Sequence, residues 1–167
     1  GSLVEASEGE LNLITYKYIF GGHSRTATNY WAQLALEPEN YVLINRRDAD
    51  RLGLSDDDEV KLVSATNSDG MWELGAGGRR PVAGKVKSLE GIRPGVVAVS
   101  WHYGHWAYGA SDVVVDGERI KGDERRGKGL CPNAIMLLDE GTETTCLTDP
   151  IGGSASFYDT PVSLVKV

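Results

Sequence analysis

Cysteine is scarce in this 167-residue chain, which holds only Cys131 and Cys146. Two cysteines make neither a disulfide framework nor a cysteine-ligated iron–sulfur cluster, which commonly takes four. Long apolar runs are missing too. No stretch approaches the ~20 apolar residues of a membrane span, and no secretory leader is visible. Histidine is rare, with three residues. His102 and His105 form a pair without the further ligands that zinc needs, so no metal site is expected. Positive charge is in deficit. The net charge of −7 excludes sequence-independent nucleic-acid binding, which depends on neutralising phosphates, although a local basic cluster can still hold one small anion.

Glycine is abundant. Its 21 residues are roughly twice the average usage of about 7%, which implies many turns and close backbone approaches. The length suits one domain with a real core. Gly1-Ser2, with no methionine ahead of it, reads as a cloning scar. Residues 3–167 are then one domain, and the chain a piece of something longer. No internal repeat is visible.

Strand signals dominate: Leu11–Tyr18, Tyr41–Ile44, Val60–Ser64, Val82–Val86, Val96–Ser100, Ala134–Leu138 and Val162–Val167. Helix is expected only around Thr28–Leu36 and over Arg46–Leu52. Residues 66–80 and 103–130 read as long loops, which inside a compact domain are usually functional or disordered.

The stretch "LINRRDADRLGLSDDDEVKLVSA", residues 43–65, is the most ordered part of the pattern. Asn45 suits an N-cap, and Asp48 complements the first turn of a short helix. Gly53 and Leu54 make a Schellman stop. Asp56–Asp58 read as a solvated turn, and Val60 opens the next strand. A strand, a short helix and a strand in ~25 residues is shorter than a βαβ crossover, which takes ~30 or more. The spacing suits a compact barrel whose short helices plug its ends.

This stretch resembles the signature of the molybdopterin-dinucleotide-binding domain, the C-terminal domain of dimethyl-sulfoxide-reductase-type molybdenum and tungsten oxidoreductases. Asn45, Asp48, Ala49, Leu52, Gly53, Leu54, Asp58 and Val60 match the family pattern. Arg46 departs from it, standing where proline is usual. "ITYKYIFGGHSRTATNYWAQL", "VKSLEGIRPGVVAVSWHYGHWAYGA", "CPNAIMLLDE" and "TDPIGGSASFYDTPVSLVKV" are similar to further family segments, in the right order. "SRTATNYW", "HYGHWAYG" and "TDPIGG" are most similar to the tetrathionate, arsenate and polysulfide reductase branch.

The resemblance implies a mainly β fold, a double-psi β-barrel with a few short helices. It implies a molybdopterin guanine dinucleotide cofactor, with molybdenum or tungsten ligated by other domains. The partners it implies are those domains and an iron–sulfur electron-transfer subunit, with no nucleic acid and no membrane insertion. The branch implies an extracytoplasmic location. The parent would reduce a small oxyanion or sulfur compound, and the chain alone would carry no catalytic residue.

The candidate cofactor residues fall in a few groups. Lys17 lies in the first segment. Gly22, His23, Ser24, Arg25, Thr26 and Asn29 offer close backbone approach and donors for anionic oxygens. Asn45 and Asp48 sit at the helix, where Asp48 could accept from guanine N–H groups or serve the helix terminus alone. His102, Tyr103, Gly104 and His105 form an aromatic loop that either faces the pterin or simply packs. Asn133 and Tyr158 complete the set, and both cysteines read as inert. Two other readings stay open. One is a double-psi barrel acting as a protein-interaction module, which would not need the Gly22–Asn29 segment and the histidine loop to converge. The other is a stand-alone small subunit of a molybdenum or tungsten enzyme.

Overall fold

The computed structural model describes residues 10–19, 21–22, 26, 29–35, 37–74, 78–106 and 109–167. Six strands close a barrel: β1 (Leu11–Tyr16), β2 (Tyr41–Asn45), β3 (Glu59–Val63), β6 (Ala83–Leu89), β7 (Val96–Ser100) and β10 (Thr160–Lys166). The order round the barrel is β1-β10-β3-β6-β2-β7. Two hairpins stand apart from it, β4 (Met71–Glu73) with β5 (Arg79–Pro81) and β8 (Val113–Val115) with β9 (Glu118–Ile120). They lie in the stretches expected to be loops.

Alternating side chains explain the barrel. In β1, Leu11, Leu13 and Thr15 point inward and are buried, while their neighbours are half-exposed. Val42, Ile44, Val60, Leu62, Val86, Val97, Val99 and Val162 fill the same interior, each fully buried. Burial of side chains this size stabilises by about 1.5–3 kcal/mol each.

The pairings reveal a pseudo-twofold. β1 runs parallel to β7, and β6 runs parallel to β2. β10 pairs antiparallel with β1, as β3 does with β6. The remaining seams, β10–β3 and β2–β7, are antiparallel and bridge the halves. Exchanging β1, β2, β3 for β6, β7, β10 leaves the pattern unchanged. This is the double-psi arrangement, a repeat in the backbone that the sequence does not show.

The Arg46–Leu52 helix closes the end of the barrel where β2 and β6 finish. The Asn45 side chain accepts from Arg47 N at 2.9 Å and donates to the Ile92 carbonyl at 2.5 Å. Gly53 ends the helix at φ +66°, and Leu54 N returns to the Ala49 carbonyl at 2.9 Å, as a Schellman stop requires. The acidic turn does more than meet solvent. Asp56 accepts from Ser88 N at 2.7 Å, and Asp58 accepts from Ser55 N and pairs with Lys166.

Two expectations need correction. Ala134–Leu138 is not a strand; Pro132–Ile135 forms a 3-10 turn, and Leu138 makes only an isolated bridge to Cys146. Pro132 explains this, since its fixed φ and missing N–H suit the first position of a turn. Within the described part of Thr28–Leu36, helix covers Tyr30–Gln33, capped by Asn29, and Thr26 is helical as well.

Asn45→Ala removes a cap and leaves the Ile92 carbonyl without its partner. We expect a loss of about 1–2 kcal/mol of unfolding free energy. It would be read as a lower urea midpoint at unchanged slope.

Candidate functional site

Parallel strands bring loops together at their carboxyl ends. β1 and β7 finish side by side, with Tyr16 opposite Ser100. Beyond this pair lies a cleft of about 490 Å³ lined by Thr15, Tyr16, Lys17, Trp101, Asn133, Phe157 and Tyr158. Lys17, Asn133 and Tyr158 come together here from three distant parts of the chain. The Lys17 Nζ lies 5.0 Å from the centre of the Trp101 ring, a cation–π distance. The cleft thus has aromatic walls, one cation and one amide able both to donate and to accept.

An aromatic cluster backs it. Tyr18 stands edge-on to Tyr16 at 5.4 Å and to His102 at 5.6 Å, and His102 packs on Tyr103 at 4.8 Å. His102 is fully buried. A Cβ on Gly21 would overlap its ring, so only glycine lets the loop after β1 seat against the loop after β7. Gly21, just ahead of the Gly22–Asn29 segment, thus touches the histidine loop.

Among the described residues, five buried side-chain polar atoms have no hydrogen-bond partner. Four of them belong to Tyr16, Ser100 and His102: the phenol oxygen, the hydroxyl and both ring nitrogens. Each such atom costs about 1–3 kcal/mol. They are concentrated where β1 and β7 end. Burial pushes the Tyr16 phenol far above its ordinary range, with Tyr18 adding to the effect, so Tyr16 stays a neutral donor.

Other candidate residues hold the fold. The Tyr103 hydroxyl donates to the Glu37 carbonyl at 2.7 Å. Gly104 sits at φ +72°, and a Cβ there would overlap Cys131 N, so its close approach is to the chain's own backbone and not to a ligand. His105 Nε2 lies 3.3 Å from the Trp101 carbonyl and 3.8 Å from the Cys131 sulfur. The buried Cys131 thiol is pushed up to about 11 by desolvation, in keeping with an inert cysteine. Thr26 bridges the amide and carbonyl of Gly22 at 2.8 and 2.6 Å. Asn29 caps the Tyr30–Gln33 helix through Trp31 N at 2.9 Å. His23, Ser24 and Arg25 lie outside the described residues.

Asn45 and Asp48 are placed elsewhere. β2 runs antiparallel to β7, so both residues lie at the opposite end of the barrel, roughly 17 Å away along a five-residue strand at about 3.3 Å per residue. The Asp48 carboxylate is buried, accepting from Gly95 N at 2.6 Å and pairing with Arg51 at 3.1 Å. Helix and strand ends engage both of its oxygens, so the helix-terminus role is the one this geometry supports. Residues that sequence reasoning missed are Thr15, Tyr16, Trp101 and Phe157. Trp101 directly precedes His102, and its position next to a singled-out loop was the available signal.

A closed six-strand barrel with one open, aromatic and polar end is a ligand-holding module. Residues 11–160 match the family described as Molydopterin dinucleotide binding domain, and the chain belongs to that family. Its ligand is accordingly a molybdopterin dinucleotide. The chain is 55% identical over 160 residues to a selenate reductase of Mesobacillus selenatarsenatis, covering 96% of this chain and 15% of that protein. It is 27% identical over 133 residues to a tetrathionate reductase of Salmonella typhimurium, covering 79% and 12%. It is 32% identical over 112 residues to the molybdopterin-containing polypeptide of the arsenate respiratory reductase of a Shewanella species, covering 63% and 12%. The chain therefore spans 12–15% of the length of these curated relatives. Among solved structures, acetylene hydratase from Pelobacter acetylenicus shares the fold with a TM-score of 0.61 at 17% identity, covering 96% of this chain and 19% of that one.

Burial holds both His102 and His105 below the ordinary imidazole value of 6.5. Above that pH neither the folded nor the unfolded state binds the proton, and stability is full. Below it the unfolded chain takes up protons that the folded imidazoles refuse, so stability falls. The aspartates held below their ordinary 3.8, Asp56, Asp58 and Asp112, act in a more acid window. We expect thermal unfolding at pH 5.5 to show a loss of about 1 kcal/mol per histidine relative to pH 7.5, with a shallower drop in His102→Phe.

Proposed function

We propose that this chain closes over a bis(molybdopterin guanine dinucleotide) cofactor within a larger oxidoreductase that reduces a small oxyanion or sulfur compound. The observation that carries this reading is the cleft where Lys17, Trp101, Asn133 and Tyr158 meet from distant parts of the chain, with Tyr16 among its lining residues. The donor set fits such a cofactor. Trp101, Phe157 and Tyr158 offer faces on which a planar ring can stack. Lys17 supplies a cation for an anionic group, and the Asn133 amide can read a ring edge. The Tyr16 phenol, kept protonated, donates to an acceptor without delivering charge. When bound, the cofactor supplies two-electron redox chemistry at its metal. This chain's residues hold and orient it and exclude water from its flank.

Relatives roughly six- to sevenfold longer support reading the chain as one domain of a bigger protein. The remaining domains would ligate the metal, and an iron–sulfur subunit would deliver electrons. We extend the proposal to an extracytoplasmic location, on the resemblance to the tetrathionate and arsenate reductase branch. The cofactor reading is favoured over an interaction module by the family match over residues 11–160.

The test is cofactor retention in the parent protein, measured as GMP released by acid hydrolysis per folded molecule. Lys17→Ala removes a charge-assisted contact worth about 1.5–3 kcal/mol, which is about ten- to a hundredfold in affinity. Asn133→Ala should lower occupancy in the same direction. Asp48→Asn, at the far end of the barrel, should reduce stability and leave the occupancy of the folded fraction unchanged. Full occupancy in both Lys17→Ala and Asn133→Ala would remove the cleft from the cofactor site.

A further inference from the structure

Asn40 directly precedes β2 and is fully buried. Its side chain is taken up by two segments 60 and 90 residues away in sequence. Nδ2 donates to the Ser100 carbonyl at 2.6 Å and to the Leu130 carbonyl at 2.8 Å, and Oδ1 accepts from Leu130 N at 2.9 Å. The two bonds to Leu130 reproduce what a neighbouring strand would offer, yet residue 130 lies outside the barrel sheet. Both anchored segments run straight into the cleft. Ser100 is followed by Trp101, and Leu130 lies three residues ahead of Asn133.

Glycines at two crowded positions make this contact possible. At Gly129, φ +84°, a Cβ would fall 2.5 Å from Asn40 Oδ1, and at Gly104 a Cβ would meet the backbone of Leu130 and Cys131. Leu130 also packs over Gly84 at the start of β6. The segment bearing Asn133 is thus drawn down onto the barrel, and Asn40 is the polar tie that sets its height against Trp101.

We propose that Asn40 is a positioning residue for the cleft, fixing the Trp101 wall relative to the Asn133 wall; this rests on the reading of the cleft as a cofactor site. Three directional bonds in a buried setting specify a geometry more narrowly than apolar packing can. Without them, one amide and two carbonyls lose their partners, and the 130–133 segment must shift to find others. A residue that merely satisfied the core would affect stability and leave the cleft's shape alone.

The experiment uses the isotope-labelled chain, with pterin-6-carboxylate as the probe. Asn40→Ala and the milder Asn40→Ser are compared with Val86→Ala, a fully buried barrel position that does not line the cleft. Resonances of the Trp101 indole and the Asn133 side-chain amide report the two walls, and the Arg47 and Gly95 amides report the opposite end. We expect both wall signals to move in the Asn40 variants without ligand, the far-end signals to stay, and the dissociation constant of the probe to rise about tenfold or more. Val86→Ala should lower stability and keep probe affinity within about twofold of the wild type. A folded Asn40→Ala with unmoved wall signals, or with unchanged affinity, overturns the proposal. So does a chain in which both Asn40 variants fail to fold while Val86→Ala folds, because Asn40 would then be a folding determinant. Should the wild type not bind the probe at all, the wall signals alone decide the role of Asn40, and the cofactor reading of the cleft is decided by occupancy in the parent protein.

Discussion

β2 and β7 run antiparallel, and each is bonded on its other side to a parallel partner. That arrangement puts the carboxyl ends of the two parallel pairs at opposite ends of the barrel. Strand carboxyl ends are where neighbouring loops gather, so the fold has two equivalent places for a site. The chain treats them differently. At one end the Arg46–Leu52 helix, tied by Asn45 to Ile92 and by Asp48 to Gly95, fills the opening with the fold's own groups. At the other, Tyr16, Ser100 and His102 hold buried polar atoms without partners, and Tyr16 lines an open cleft. One end is satisfied internally, and the other holds the unsatisfied groups.

This division explains why the most recognisable stretch of sequence is not part of the cleft. An N-cap, a carboxylate in the first turn, an αL glycine and an apolar residue after it are all local demands. They fall within ten residues and leave a readable pattern, which is how the helix was legible to the residue. The cleft has no such pattern. Its walls come from residues 15–17, 101, 133 and 157–158, which only the closed barrel brings together. Lys17, Asn133 and Tyr158 were reachable through the family resemblance. Tyr16 and Phe157 were not, because an aromatic residue in a strand or loop reads as ordinary packing.

The six barrel strands were legible from apolar runs and, in several, alternation, and their pseudo-twofold was not. β2 carries Tyr-Val-Leu-Ile-Asn and its counterpart β7 carries Val-Val-Ala-Val-Ser. These strands share apolar character and length but little residue identity, so the symmetry lives in backbone pairing. The two hairpins went unread because their strands are three residues long, too short for a period of two to emerge from the glycine and charge around them. Asn40 was hidden for a further reason: its partners are 60 and 90 residues away, and an asparagine after Pro-Glu reads as a turn.

The unpartnered atoms also carry an energetic consequence. A domain is stable by about 5–15 kcal/mol, and each buried unsatisfied group subtracts about 1–3 kcal/mol from that margin. Leaving such groups around one cleft weakens the domain where β1 and β7 end. A ligand that supplied partners there would bind the folded state alone and stabilise it by mass action. The same atoms would then raise affinity and rigidity together. His102 shows how narrow the arrangement is. Its ring is wedged against Gly21, Tyr18 and Tyr103, held neutral by burial, and can neither turn toward solvent nor take up a proton cheaply. Its nitrogens find partners only if something polar is brought to the loops around it, and the residues that hold those loops in place are the ones that most control whether it fits.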